Sequence, residues 1–218
     1  MLDLALRWLG AYLLGSVNGA LLIGRFKGVD IRLQGSGNAG GTNALRTQGW
    51  AFALGVIVID VGKAVCAVQL LPTAFAAPRV APEWVAVACG FAAVVGHVYP
   101  VFHGFRGGKG VATLLGTLLA LSMPLLLLVL AVWLLMMLLF GFVGLGSMVA
   151  AAALPWLVAW AGARGWIDDE AMLPLMVFGV ACAVFVLWTH RSNIARMRAG
   201  TEPRARKLWL LGRWLHRP

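Results

Sequence analysis

Residues 111–140 read VATLLGTLLALSMPLLLLVLAVWLLMMLLF, and no position in this stretch carries a charged side chain. A helix needs about 20 apolar residues to cross the hydrocarbon core of a bilayer, so the run is too long for one crossing. Pro124 lies near its middle and favours a break there, because proline is well suited to the first position of a helix. The stretch therefore predicts two transmembrane helices, 108–122 and 124–141.

The rest of the chain has the same apolar character. Of the 218 residues, 61% are hydrophobic and 12% are charged, whereas a globular chain is about 45–50% apolar and about 25% charged. This composition excludes a soluble globular protein, which needs more surface charge, and a disordered protein, which is poor in apolar residues. Further apolar stretches predict five more spans at 4–24, 50–72, 84–100, 145–162 and 172–190. We therefore predict an all-α polytopic membrane protein with about seven transmembrane helices.

The net charge of +10 indicates how the helices are oriented, because Lys and Arg accumulate in cytoplasmic loops. With the N-terminus outside and the C-terminus cytoplasmic, all but four of the 18 basic residues fall inside. The exceptions are Arg7, Arg79 and Arg164 outside and Lys63 within a span. The first span is expected to be retained, because it lacks the basic start and the cleavage site of a signal peptide.

The C-terminal residues 204–218 alternate basic side chains with Leu and Trp. This pattern is typical of a helix that lies on anionic lipid. Nucleic-acid binding is not expected, because these charges would lie at the membrane plane. We predict a seven-helix membrane domain over 1–203, followed by a basic amphipathic interfacial tail over 204–218.

Two predicted cytoplasmic loops combine glycines, small polar side chains and isolated cations: Gly35–Arg46 (GSGNAGGTNALR) and Gly96–Thr113, which contains GGKG at 107–110. Glycine lets successive backbone N–H groups approach an anion, and the start of a helix adds its positive dipole end. The pattern predicts a phosphate site, with Lys109 at the start of the fourth helix. Gly144–Ser147 and His190–Arg196 are two further unusual elements on the same predicted face.

Known motifs that share these residue types are excluded by their context. Gly35-x-Gly37-x-x-Gly40 matches the dinucleotide fingerprint, but no strand precedes it. Lys109 is followed by glycine instead of the Ser or Thr of a nucleoside triphosphatase loop. The sequence contains no GxSxG, no HExxH and no His followed five residues later by Asp. An enzyme built on these loops would therefore work by binding and electrostatics, without a covalent intermediate.

The three cysteines, Cys66, Cys89 and Cys182, lie in apolar spans at no metal-binding or CxxC spacing. We interpret them as buried packing residues. No metal site is predicted from them.

Two pairs of polar residues lie three positions apart on predicted helices. Asp60 and Lys63 share a face inside the second span, where an ionisable pair is a functional candidate, although we favour mutual neutralisation. His190 and Asn193 point the same way at the end of the last span. A histidine there can cap helix carbonyls or move a proton at a phosphate site, and the pattern favours neither.

Taken together, these motifs resemble those of the bacterial acyl-phosphate-dependent glycerol-3-phosphate acyltransferases, which are small seven-helix membrane enzymes. The resemblance covers nearly the whole chain. It rests on Gly15-Ser16, Leu22–Arg25, Gly35–Asn38, Thr42-Asn43, Arg46, Gly96-His97, Pro100, Phe102, Gly107–Thr113, His190–Arg196 and Gly200–Glu202. Asn18 and His103 depart from the family's pattern, but both lie outside the residues to which the resemblance assigns chemistry.

The resemblance implies transfer of the acyl group of an acyl phosphate to the sn-1 hydroxyl of glycerol 3-phosphate. The products would be 1-acylglycerol 3-phosphate (lysophosphatidate) and phosphate, in the first step of phospholipid synthesis. It also implies the bacterial cytoplasmic (inner) membrane, an active site on the cytoplasmic face, and no metal or other cofactor.

The same resemblance assigns residues to this reaction. The expected catalytic residues are Lys109, His190, Asn193 and Arg46. The expected substrate- and phosphate-binding residues are Ser36, Gly37, Asn38, Thr42, Asn43, Gly107, Gly108, Gly110 and Ser147. The proton of the attacking hydroxyl could pass to His190 or to a phosphate oxygen of the substrate, and the sequence leaves both open.

A membrane transporter for phosphate or a phosphorylated small molecule is the alternative function, because it too would need anion-binding loops. Transporters typically show internal repeats and helices broken near the bilayer midplane. The sequence shows no repeat, and its glycine loops fall at one predicted face. A non-catalytic scaffold is a third alternative, although its loops would have no need of so many anion-binding elements.

Overall fold

The computed structural model describes residues 2–75, 80–205 and 208–211. Within these ranges every regular element is a helix, as the composition predicts. The chain forms two compact units, 1–123 and 124–218.

The described residues of the first unit form six α-helices. They are α1 (Leu2–Ser16), α2 (Gly19–Phe26), α3 (Gly41–Gln48), α4 (Trp50–Leu70), α5 (Pro82–Val98) and α6 (Val111–Leu121), with 3₁₀ turns at Ile31–Leu33, Leu71–Thr73 and Val101–His103. Helix α3 lies in a segment that the sequence predicts as a loop. Its eight residues include Gly41, Thr42 and Asn43, which are poor helix formers, so the local signal for this helix is weak.

The first predicted span, 4–24, is a broken helix. Its two parts, α1 and α2, meet at a bend of 48°. Asn18 caps the second part, because its Oδ1 accepts the backbone N–H of Leu21 at 3.1 Å. The backbone N–H of Gly19 donates to the carboxylate of Asp60 on α4 at 3.0 Å. The break therefore depends on a contact that local hydrophobicity does not reveal.

Small residues bring the helices of this unit close together. A Cβ added at Gly15 on α1 would collide with the backbone of Ala93 on α5, and one at Gly116 on α6 would collide with the backbone of Val61 on α4. Such approaches favour association of helices in lipid, where van der Waals packing and hydrogen bonds replace the hydrophobic effect.

The part of the second unit that the structure describes contains four α-helices. They are α7 (Met123–Phe140), α8 (Val143–Ala163), α9 (Asp169–Thr189) and α10 (Arg191–Arg198). Met123, the first residue of α7, is the last residue of the first unit. Because α6 ends at Leu121 and α7 begins at Met123, the predicted break beside Pro124 is confirmed. Helix α10 lies where the sequence analysis expects a loop, and its highly polar sequence explains why hydropathy misses it.

Among the described residues, five helices are long and apolar enough to cross a membrane, or six if α1 and α2 form one bent span. The chain is therefore a multi-pass membrane protein. The remaining predicted span corresponds to α6, whose 11 residues are about 16 Å long at 1.5 Å per residue. This length is below the usual requirement for a span.

The predicted interfacial tail falls largely on residues 206, 207 and 212–218, which lie outside the described residues, as does Arg79 of the topology count. In the described part, the guanidinium of Arg204 lies over the ring of Phe142 at 4.6 Å and over that of Trp209 at 3.9 Å. The indole N–H of Trp209 donates to the carbonyl of Leu139 at 3.0 Å. These contacts connect the start of the tail to the end of α7.

Candidate functional site

The first glycine loop takes its shape from Asn43, which is 1% exposed. The Asn43 side-chain oxygen accepts the backbone N–H of Ser36 at 2.9 Å, and its amide donates to the carbonyls of Ile31 and Gln34 at 3.1 and 3.0 Å. A Cβ at Gly35 would collide with the same oxygen. Asn43, which the resemblance assigns to phosphate binding, therefore holds the loop together from inside.

The other residues that the resemblance assigns to this loop face outward. Ser36, Gly37, Thr42 and Arg46 are exposed and Asn38 is partly exposed. Thr42 lies in the first turn of α3, which begins at Gly41, so it lies at the end of the helix where the dipole is positive. The loop thus offers hydroxyl, amide and guanidinium donors from one short segment.

The second glycine loop is fixed by backbone hydrogen bonds to the end of α5. Gly107 N–H donates to the carbonyl of Val98 at 3.1 Å, and Gly108 N–H donates to that of His97 at 3.2 Å. Gly110 has a left-handed φ of 86° and caps α6, a conformation that glycine adopts without strain. Lys109 therefore lies one residue before that cap, and it is partly exposed.

Arg32, which lies just before the first glycine loop, binds the second loop, and the sequence analysis counts it only as a topology charge. Its Nη1 donates to the carbonyls of His103 and Arg106 at 3.1 and 3.4 Å, and its Nη2 lies 2.8 Å from Oδ2 of Asp30. The hydrogen bond from Arg32 holds the pKa of Asp30 below its usual value. Asp30 is therefore ionised at neutral pH and keeps Arg32 in place.

Gly108 is a closely packed position of the second loop. A Cβ there would collide with Nε2 of His97 and would lie 2.6 Å from the carbonyl oxygen of Ala39. We expect Gly108→Ala to lower the rate of phosphate release at least about tenfold, because small displacements of binding groups have large effects on rate. Gly62→Ala on α4 is the matched control, since nothing lies within 4 Å of its added Cβ. Wild-type activity of Gly108→Ala would contradict this account of the loop.

In the second unit, His190 is 3% exposed and caps the end of α9. Its Nδ1 lies 2.8 Å from the carbonyl oxygen of Val186 and 3.3 Å from the hydroxyl of Thr189. A carbonyl oxygen only accepts, so Nδ1 carries a proton and Nε2 is the basic nitrogen of the neutral ring. His190 therefore caps the helix, which is one of the two alternatives from the sequence. Proton transfer by this histidine stays a prediction.

Asn193 is oriented by Glu202, which the sequence analysis includes only as part of a motif. The Asn193 amide donates to Oε1 of Glu202 at 2.6 Å, and Nε of Arg196 donates to Oε2 at 2.6 Å. A Cβ at Gly144 would lie 2.6 Å from the same amide nitrogen. Because the amide group donates to Glu202, the side-chain oxygen of Asn193 is the group suited to accept a hydrogen bond from a hydroxyl.

Ser147 lies on the same helix as Gly144. Its hydroxyl donates to the carbonyl of Val143 at 3.0 Å and the residue is 5% exposed. Its oxygen retains acceptor capacity.

We expect Glu202→Ala to lower kcat at least about tenfold, because a hydrogen bond to a charged group contributes about 1.5–3 kcal/mol. Glu202→Gln keeps an acceptor for Asn193 and loses the bond from Arg196, so its kcat should fall only about two- to threefold. Arg198→Ala, at an exposed position of α10, controls for the loss of a side chain. Equal loss in the Ala and Gln variants would mean that Glu202 does not work through Asn193.

The remaining candidates have other roles. Asp60 and Lys63 pair inside the first unit, with 2.8 Å between Oδ1 and Nζ. Cys89 and Cys182 are buried as predicted, whereas Cys66 is exposed. No group of three His, Cys, Asp or Glu side chains that could hold a metal ion occurs within the described ranges.

Comparisons with known proteins place these loops in a family. A profile of the family described as glycerol-3-phosphate acyltransferase matches residues 5–200. A glycerol-3-phosphate acyltransferase of Synechococcus sp. (strain JA-2-3B'a(2-13)) is 42% identical over 210 residues, covering 96% of this chain and 98% of the relative. One of Gloeobacter violaceus is 41% identical over 199 residues, covering 90% and 92%.

Two solved structures have the same fold. Both are crystal structures of PlsY, an integral membrane glycerol 3-phosphate acyltransferase, in its glycerol 3-phosphate and lysophosphatidic acid forms. The first is 33% identical with a TM-score of 0.79, the second 32% identical with a TM-score of 0.77, and each match covers 92% of this chain and 94% of PlsY. By sequence over nearly its full length and by fold, the chain belongs to the glycerol-3-phosphate acyltransferase family.

Proposed function

We propose that the protein transfers the acyl group of an acyl phosphate to the sn-1 hydroxyl of glycerol 3-phosphate. The products are 1-acylglycerol 3-phosphate and inorganic phosphate, and the reaction begins phospholipid synthesis. The observation that carries the proposal is the match of residues 5–200 to the acyltransferase family. The forms in which PlsY was solved, with glycerol 3-phosphate and with lysophosphatidic acid, support the same substrate and product.

The glycine loops of the first unit supply the groups that bind phosphate. We assign this role to the exposed donors of the first loop, to Arg46 and to Lys109. Gly37, Gly107, Gly108 and Gly110 give the loops their shape, and the N–H groups of the first three donate to backbone carbonyls. Negative charge increases on the phosphate as its bond to the acyl carbon breaks, and donors already in position stabilise that charge without reorganising.

The second unit supplies the groups that act on the hydroxyl. The oxygen of Asn193 orients the hydroxyl, Nε2 of His190 takes its proton, and Ser147 contributes to binding. The hydroxyl oxygen attacks the carbonyl carbon of the acyl phosphate, and the bond from that carbon to the phosphate oxygen breaks. The phosphate leaves with the electron pair, and the proton held by His190 later passes to phosphate. No step requires a metal or another cofactor.

We also propose seven spans, with the N-terminus outside, the C-terminus cytoplasmic and both glycine loops on the cytoplasmic face of the bacterial inner membrane. Counting α6 as a crossing supports this topology. If α6 did not cross, the loop that contains Lys109 and the basic segment after His190 would lie on opposite sides of the membrane. That arrangement opposes the preference of Lys and Arg for the cytoplasmic side. The membrane domain would extend over 1–203, and residues 204–218 would lie on anionic lipid.

Phosphate release from purified protein tests the function directly. We expect release only when acyl phosphate and glycerol 3-phosphate are both present, with lysophosphatidate formed in equal amount. A transporter would instead accumulate labelled glycerol 3-phosphate in proteoliposomes without forming product. Uptake without product would therefore replace the acyltransferase by the alternative function.

A further inference from the structure

Three ionisable side chains to which the proposed reaction gives no role meet inside the first unit. Asp60 and Lys63 lie on α4 and His97 lies on α5, and they are 0%, 7% and 2% exposed. Nζ of Lys63 lies 2.8 Å from Oδ1 of Asp60 and 2.9 Å from Nδ1 of His97. The predicted pair is thus a cluster of three, and neutralisation of Lys63 by Asp60 does not explain the third member.

Lys63 uses all three of its N–H donors. Besides Asp60 and His97, its ammonium donates to the carbonyl of Val17 at 2.9 Å. Nδ1 of His97 also lies 3.3 Å from Oδ1 of Asp60, so one nitrogen of the ring faces both charged partners. Lys63 therefore connects Asp60 on α4 with His97 on α5.

The cluster also holds the break between α1 and α2. Lys63 binds the carbonyl of Val17, and Oδ1 of Asp60 accepts the backbone N–H of Gly19 at 3.0 Å. Between these two residues, the amide of Asn18 donates to the carbonyl of Ala39 in the first glycine loop at 3.1 Å. Hydrogen bonds therefore connect the break both to the cluster and to the first glycine loop.

His97 connects the cluster to the second glycine loop. Its carbonyl accepts the N–H of Gly108, and its Nε2 is so close to Gly108 that an added Cβ would collide with it. The same Cβ would lie 2.6 Å from the Ala39 carbonyl. Gly108 therefore packs between the ring of His97 and the carbonyl that Asn18 holds.

We propose that Asp60, Lys63 and His97 are positioning residues that fix the first glycine loop and the Gly107–Gly110 segment of the second in the arrangement that binds phosphate. The proposal rests on the proposed function only in taking these loops as the phosphate site. It differs from simple neutralisation, which requires only that the charges of Asp60 and Lys63 cancel.

A double variant separates the two explanations. Replacing a buried ion pair with neutral residues is often harmless to stability, whereas removing one partner is strongly destabilising. In Asp60→Asn with Lys63→Met no net charge is introduced, and the Asn oxygen can still accept the Gly19 N–H. The donors to Val17 and His97 are nevertheless lost. Neutralisation predicts wild-type phosphate binding in this variant, and positioning predicts weakened binding.

The test measures binding of inorganic phosphate to each purified variant by calorimetry, together with KM for glycerol 3-phosphate and for acyl phosphate. We expect the phosphate Kd of the double variant to rise about tenfold or more. The substrate whose KM rises is the one whose phosphate group the loops bind. Gln69→Leu on the same helix, which removes only a hydrogen bond to the Ala120 carbonyl, should keep the wild-type Kd. A wild-type Kd and wild-type KM values in the double variant would overturn the proposal.

His97→Asn tests the cluster from its other end and does not require the double variant to fold. The Asn oxygen can still accept from Lys63, but the ring that packs against Gly108 is absent, so the phosphate Kd should again rise about tenfold. An unchanged Kd in His97→Asn would overturn the proposal as well. If wild-type protein binds phosphate but releases none from the two substrates, the proposed reaction fails, and the binding measurements still decide the role of the cluster.

Discussion

Lys109→Ala should lower kcat/KM for phosphate release by about 10²–10³-fold, the range found when one donor to a developing anion is removed. The physical reason is the position of Lys109 beside the glycines whose backbone is held by α5, one residue before the cap of α6. Its ammonium would add positive charge near the positive end of the α6 dipole, and the dipole alone would stabilise the leaving phosphate less. The measurement is phosphate release by purified protein that remains monodisperse in detergent.

Two variants control this prediction. Lys27→Ala removes the same charge from an exposed position of the first unit and should retain activity within about twofold, because exposed charges away from a site act weakly through solvent. Lys109→Arg keeps the charge but not the compact ammonium, and its activity should lie between those of Lys109→Ala and wild type. Full activity of Lys109→Ala would remove this residue from the site.

The apolar helices could be predicted from hydrophobicity because each is a nearly uninterrupted run. The break beside Pro124 could be predicted for the same reason, since a single proline interrupts an otherwise continuous stretch. The bend between α1 and α2 could not be predicted from hydrophobicity. Its determinants are a cap by Asn18 and a bond from Gly19 to Asp60, and the second joins residues 41 positions apart along the chain.

The candidate site shows the same division. Glycines and short polar residues that are neighbours in sequence identify both loops. The partners that hold those loops are distant in sequence or of an ordinary type, such as Arg32 with the carbonyl of Arg106 and Lys63 with His97. Arg32 had one available signal, the Asp30-x-Arg32 spacing, which places a carboxylate beside the guanidinium. Glu202 had only its place in a recognised motif.

The second large effect is expected at His190. His190→Asn should lower kcat by about 10²–10⁴-fold, the usual contribution of a positioned general base. The Asn amide can still donate to the Val186 carbonyl in place of Nδ1, so the end of α9 should remain capped, but nothing replaces Nε2. The loss should therefore appear in kcat under saturating concentrations of both substrates, with little change in thermal stability.

His190→Gln distinguishes two roles of His190 in the reaction: accepting the proton of the substrate hydroxyl, or orienting that hydroxyl by a hydrogen bond. Glutamine can place an amide where Nε2 lies, so it can orient a hydroxyl, but an amide does not accept a proton at neutral pH. If His190 takes the proton, His190→Gln should be as slow as His190→Asn. If a phosphate oxygen of the substrate takes the proton, His190→Gln should recover much of the lost rate. That recovery would reassign His190 from base to orienting group and leave the substrate itself as the proton acceptor.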